Sequence, residues 1–303
     1  MRLVRPVVSL ESRRVGGRQG LMTHRKRRPA RRLAPPLSFG LALLLTAAAC
    51  TTRGASVRSA PTTTVAPPTT AASPIDRSIQ AALDAVVAAG APGAAATLTT
   101  KGGTRTFTAG VAAVNSGRPI GLGDHYRIAS QTKSFTATIV LQLANEKRLS
   151  LSDTVARWVP GLVPNERQIT VRQLLNMTSG LHEYFDDAGA PFVLAVQRYP
   201  GLRWQPQQLA AIAATAGPDF PPAAKWNYTN TNYELLGLIA EKASHSSLAQ
   251  LMSSRIFKPL GLRETTYRPD VNTLPSPFVR GYYTYEGSPP VDVTDTSPTI
   301  IGP

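Results

Sequence analysis

Apolar and polar positions divide this chain into blocks of different period. Leu37 to Ala49 is an apolar stretch containing Leu41, Leu43, Leu44 and Leu45. Residues 51–74 are a Thr/Pro/Ala stretch without large apolar residues; it cannot form a core and reads as an extended tether. From residue 75 the pattern becomes that of a folded domain, with an amphipathic helix over Ile75 to Ala89. Ala94–Thr100 and Thr104–Val111 flank Lys101-Gly102-Gly103, which predicts a hairpin. A helical stretch follows from Ser130 to Pro200. In its run from Phe135 to Lys147, Ile139, Val140 and Leu143 are spaced for one buried face. Tyr233 to Lys242, with Leu235, Leu236, Leu238 and Ile239, predicts a strong helix. Leu248–Phe257 predicts another, leading to Pro259-Leu260-Gly261, and a short strand pattern lies around Phe278 to Tyr285. Strands at both ends of a mostly helical middle give an α+β class. The expected organisation is a signal segment at 1–50, a linker at 51–74 and one substantial domain at 75–303.

Charge sharpens the reading of the N-terminus. Eleven of the 33 basic residues lie in residues 1–50 against the single acid Glu11, leaving 22 basic and 17 acidic residues for the rest. The pI of 10.5 is therefore mostly a targeting signal. The run His24-Arg25-Lys26-Arg27-Arg28 has no recognition fold or aromatic platform beside it, which argues against nucleic acid. The 13 residues of the apolar stretch fall short of the roughly 20 a bilayer span needs. Behind a basic region they suit a signal peptide. The stretch ends Thr46-Ala47-Ala48-Ala49-Cys50 at the only cysteine, which resembles a relaxed bacterial lipobox and implies a diacylglyceryl group on Cys50. Ala47-Ala48-Ala49 also suits an ordinary signal peptidase, leaving a free thiol. The expected location is the outer face of the membrane as a lipoprotein, or the exterior as a secreted protein. Met22 begins a better-proportioned signal than Met1.

The chemistry concentrates in two motifs. In Ser130-Gln131-Thr132-Lys133, Ser and Lys stand three apart, on one helix face. That register suits an amine helping to take the hydroxyl's proton; alone, it reads better as an N-cap Ser with a solvated Lys in the first turn, and a second motif reverses that reading. Tyr228-Thr229-Asn230, the only Y-x-N, lies in a polar, Asn-rich loop feeding the helix at Tyr233. A phenol can relay a proton, with Lys133 as the cation beside it, and an amide can grip a substrate amide. An Asx-rich turn explains the Asn and Thr residues but not the tyrosine. His182-Glu183 lacks a second His four residues on, and four scattered His argue against a metal site. His125 and His245 read as surface or loop residues. Trp226 fits a cleft wall or a packed aromatic equally. The lack of any G-x-S-x-G argues against a nucleophile-elbow hydrolase.

Together with Tyr126-Arg127-Ile128-Ala129, Leu149 to Val155, Ile169 to Leu181 and Arg255 to Leu262, these motifs resemble the penicillin-recognising serine hydrolases. That family spans D-alanyl-D-alanine carboxypeptidases, class C β-lactamases and esterase relatives; the phrasing here is most similar to the soluble carboxypeptidases. The resemblance implies a β-lactamase/transpeptidase-like fold, an antiparallel sheet flanked by helices plus an all-helical lobe, with the nucleophile's helix starting at their junction. It implies Ser130 as the acylated nucleophile, Lys133 and Tyr228 as joint proton carriers, Asn230 on the substrate's acyl side and the Ser130 N–H as an oxyanion donor. Tyr184-Phe185-Asp186-Asp187 would fall in a rim loop. No cofactor is implied. The implied partners are peptidoglycan stem peptides or small acyl substrates, β-lactams, and the membrane through Cys50. The family's third motif, K-T-G or H-x-G, does not occur after Asn230, so the expectation is a C-terminally incomplete domain with weak or absent catalysis. The functions in view are a D-Ala-D-Ala carboxypeptidase, a β-lactamase or esterase of the same chemistry, and a non-catalytic wall- or ligand-binding protein.

Overall fold

A computed structural model describes residues 73–185, 202–283 and 290–295. Cys50, the signal segment, the linker as far as residue 72, and Asp186 and Asp187 lie outside the described residues; Ser73 and Pro74, expected in the linker, belong to the first helix. Helix α1 (Pro74–Ala88) starts where the sequence supplies a capping box: Ser73 Oγ accepts the Asp76 N–H and Asp76 accepts the Ser73 N–H, with Pro74 in the first turn. Strands β1 (Gly93–Thr100) and β2 (Gly103–Ala113) form the expected hairpin, paired Thr100 to Gly103 across the Lys101-Gly102 turn. Gly110 sits at φ +71, where a Cβ would lie 2.3 Å from the Pro92 carbonyl; only glycine allows that approach. Strand β3 (Arg118–Pro119) completes a three-stranded antiparallel sheet in the order β1-β2-β3, with α1 packed on it. Arg105 on β2 also pairs with Asp76, at 2.7 Å.

The helical part is organised around one element. Of the 15 residues of helix α6 (Asn230–Ser244), 12 are buried. Around it pack α2 (Thr132–Asn145), α3 (Val155–Trp158), α4 (Val171–Leu175), α5 (Pro206–Ala216) and α7 (Leu248–Met252). Leu235, Leu236 and Ile239 of α6 meet Ile139, Val140 and Leu143 of α2 and Leu174 of α4 in one apolar cluster. The face predicted for α2 is thus the buried one.

Three expectations are corrected. The stretch from Ser130 is not continuously helical. Its later described helices, α3 and α4, are four and five residues long, opened by the extended caps Thr154 and Thr170, because β-branched hydroxyl residues favour cap geometry over helix interior. Helix α6 begins three residues before Tyr233, capped by Thr229. Within the described part of the last strand signal, Tyr282–Tyr283 forms β4, paired with β5 (Val291–Asp292) as a separate ribbon, while Phe278 to Gly281 lie outside a strand.

Candidate active site

Ser130 lies in a single 3₁₀ turn, Ala129–Gln131, that runs directly into α2. Ala129 is held at φ +45, a left-handed conformation that costs a residue with a Cβ and needs surrounding support. That support includes the Thr132 hydroxyl, which donates to the Ala129 carbonyl at 2.7 Å, and the Gln131 N–H, which donates to the Ile128 carbonyl at 3.1 Å. The turn leaves Ser130 exposed while Lys133, on the same face, is only 7 % exposed.

The two motifs meet. Lys133 Nζ lies 3.2 Å from Ser130 Oγ and 2.7 Å from Asn230 Oδ1. Tyr228 Oη lies 2.8 Å from Ser130 Oγ and 3.3 Å from Asn230 Oδ1. One assignment of protons satisfies every contact: Lys133 donates to Ser130 and Asn230, Ser130 donates to Tyr228, and Tyr228 donates to Asn230. The Ser130 proton then points at the phenol oxygen, which can take it once the Tyr228–Lys133 pair has given up a proton. The ammonium also lies 5.5 Å and 5.6 Å from the ring centroids of Tyr228 and Tyr233, within cation–π range.

The Y-x-N loop is strapped to a second loop, Met177 to Glu183. The Asn227 N–H donates to the Met177 carbonyl at 2.9 Å, and the Ala223 N–H to the Thr178 carbonyl at 2.8 Å. Ser179 Oγ donates to Asn232 Oδ1 at 2.6 Å, both buried. The Thr229 and Thr231 hydroxyls both donate to the His182 carbonyl, at 3.2 Å and 2.7 Å. Gly180 allows the loops to touch: its φ is +78, and a Cβ there would lie 2.0 Å from the Phe220 carbonyl oxygen. Glu183, 5 % exposed, accepts the backbone N–H of Asn230, and its Oε1 accepts from Asn230 Nδ2 at 3.2 Å.

Sequence reasoning missed Glu183 and a second buried acid, Glu234. Glu234 is fully buried on α6, one turn after Asn230, and Tyr184 Oη donates to its Oε1 at 3.5 Å. Burial pushes the Glu234 carboxyl well above the usual range, against the pull of Lys133, and pushes the Tyr184 phenol up likewise. Tyr184 is thus a core residue packed with Leu209 and Ala213, not part of a rim. Trp226 is 64 % exposed, so it is no packed aromatic. His182 contacts Asp219 at 2.7 Å, His125 is held by the Pro277 carbonyl and Glu264, and His245 is the left-handed C-cap of α6. Among the described residues no group of three metal-ligating side chains occurs. A cavity of about 430 Å³ runs along α6, lined by Glu234, Leu238 and Tyr267 among others. A smaller one of about 100 Å³ touches Tyr126, Ile128, Ala129 and Thr132 beside the turn that carries Ser130.

Residues 75–299 match the Beta-lactamase family model, and the chain belongs to that family. The fold is β-lactamase/transpeptidase-like, a mixed α+β arrangement of helices and small antiparallel sheets. Among solved structures it is similar to a D-stereospecific amidohydrolase from Streptomyces sp., 39 % identical with a TM-score of 0.68, covering 75 % of this chain and 66 % of that one. It is also similar to the D-amino acid amidase of Ochrobactrum anthropi SV3, 30 % identical with a TM-score of 0.62, covering 76 % and 64 %. A curated relative is Penicillin-binding protein 4* of Bacillus subtilis (strain 168), 34 % identical over 161 residues, covering 52 % of this chain and 33 % of the relative. The chain thus spans a third of that relative's length.

Proposed function

We propose that the protein is a serine hydrolase that works through an acyl-enzyme on Ser130 and takes D-configured acyl donors. The observation that carries this reading is the Ser130 hydroxyl held by both Tyr228 Oη at 2.8 Å and Lys133 Nζ at 3.2 Å. With one proton fewer on the Tyr228–Lys133 pair than in the resting arrangement, the Ser130 proton passes to Tyr228 as Oγ bonds to the substrate's carbonyl carbon and the carbonyl oxygen takes up the negative charge. As the C–N bond breaks, Tyr228 returns the proton to the departing amine. Water then attacks the ester, the Tyr228–Lys133 pair takes its proton, and that proton goes to Ser130 Oγ as the acyl–Oγ bond breaks.

As to substrate, the first reading is a carboxypeptidase that cleaves D-alanyl-D-alanine stem peptides of the cell wall and is acylated by β-lactams. The penicillin-binding relative supports it. Export supports it too: a basic region, an apolar stretch and a lipobox-like Cys50 fit a protein tethered outside the membrane by residues 51–74, or secreted. A second reading, a D-amino-acid amidase, is favoured by the 39 % identity with the Streptomyces amidohydrolase.

The test is the intact mass of the chain with and without benzylpenicillin, beside Ser130→Ala. The expected result is an adduct in the parent that vanishes in the variant. Faster turnover of peptides ending in D-Ala-D-Ala supports the carboxypeptidase; faster turnover of D-amino acid amides supports the amidase; rapid release of hydrolysed drug supports a β-lactamase. Folded protein with neither adduct nor turnover overturns catalysis in favour of a ligand-binding role.

A further inference from the structure

We propose that Glu183 is a positioning residue, which fixes the amide of Asn230 with its oxygen toward Lys133 and Tyr228; the proposal rests on the acyl-transfer reading of the site. An Asn amide is nearly symmetric in shape, so nothing in its own geometry decides which end faces a neighbour. The two ends differ sharply here. Asn230 Oδ1 accepts from Lys133 Nζ at 2.7 Å and from Tyr228 Oη at 3.3 Å. Turned over, the amide would aim its N–H donors at an ammonium that has no acceptor, and the Lys133 contact would be lost.

Glu183 decides between the two orientations. Its Oε1 accepts from Asn230 Nδ2 at 3.2 Å and from the Phe185 N–H at 2.9 Å, while Oε2 accepts the backbone N–H of Asn230. Three N–H donors converge on one side chain, and a carboxylate accepts all of them with its two oxygens. A glutamine of the same shape would set its own NH₂ against one of the three. The backbone N–H of Asn230 belongs to the first turn of α6 and has no partner within the helix, so the negative charge suits that end on two counts. With Glu183 buried and tied to its own loop through Phe185, the amide it holds has little freedom. Lys133 therefore finds a fixed acceptor, and its ammonium is directed at Ser130 Oγ.

A simple capping role for Glu183 would also hold α6 in place, so the experiment has to separate the two. The rate of Ser130 acylation by benzylpenicillin is followed by intact mass in the parent chain, Glu183→Gln, Asn230→Ala and the double variant, with melting temperatures alongside. Glu183→Gln is expected to slow acylation about 100-fold, the usual effect of a small misplacement beside a reacting group. In the Asn230→Ala background the same substitution is expected to slow it no further, because a residue acting through Asn230 has nothing left to act on. Equal slowing in both backgrounds, or none in the parent, overturns the proposal and leaves a cap. If the parent chain is not acylated, the acyl-transfer reading fails on its own, and the positioning is read from the Asn230 side-chain amide by ¹⁵N NMR. Protection from exchange that is lost in Glu183→Gln supports the proposal. A freely exchanging Asn230 amide in the parent overturns it, and that measurement stands even if the variant does not fold.

Discussion

The hairpin with its helix and the cluster around α6 solve the same problem by opposite means. In the first, no residue of β1 is buried, Leu83 is the only buried residue of α1, and the pairing partners are neighbours in sequence. In the second, Leu235, Leu236 and Ile239 have no exposed surface, and their partners come from elements up to about a hundred residues away. The hairpin is held largely by backbone hydrogen bonds that nearly any sequence can make. The helical cluster is held by shape, and every part of the reacting group stands on it. A site that needs atoms placed within tenths of an ångström is thus built where side chains have least room to move.

This contrast can be broken most forcefully at α6. Leu236→Ala is expected to cost about 4 kcal/mol in chemical denaturation, as a fully buried leucine lost from a packed core does. Leu98→Ala on half-exposed β1 should cost about 1 kcal/mol, since much less apolar area is at stake; equal losses would erase the distinction. Gly180→Ala comes between, at about 3 kcal/mol, from a strained φ and a collision with the Phe220 carbonyl. It should also slow acylation of Ser130, because the strap on the Y-x-N loop must shift. A melting temperature that falls while the acylation rate holds would show that the two loops are not coupled.

The smallest expected effect is one of pH. Burial raises the folded-state affinity of Glu234 for its proton, so the folded chain binds more protons than the unfolded chain above the ordinary value of 4.5. Stability from this group is therefore fully present below that pH and is lost as pH rises through the folded value. Lys133, Tyr184 and Glu183 are the charged and titrating groups acting on it. Glu234→Gln keeps the shape and cannot ionise. It should leave the melting temperature near the parent's at pH 4 and raise it at pH 8; a lower value at pH 8 would mean that Glu234 is ionised and paired with Lys133.

The sequence speaks clearly where an interaction is local. Ser130 and Lys133 lie three apart, so their meeting is one of the two arrangements that spacing allows. The hairpin turn at Lys101-Gly102 follows from composition. Tyr228 lies 98 residues from Ser130, and no spacing links the two motifs; chemistry and resemblance suggest the pairing, and the structure places their oxygens 2.8 Å apart. Glu183 and Glu234 left no signal at all. An acid earns no periodicity when buried, and the partners that make its burial tolerable lie 47 and 50 residues away. The start of α6 was misread for a related reason: Asn230, Thr231 and Asn232 look like loop residues, yet their polar groups are consumed by His182, Glu183, Ser179 and Lys133.

The bonds between Met177–Glu183 and the Y-x-N loop also bear on how such a site can be moved or altered. Transplanted alone into another scaffold, residues 225–233 would arrive without the carbonyls of Met177 and His182 that shape them. The portable unit is the pair of loops, two stretches of chain far apart in sequence that have to be inherited, grafted or mutated together.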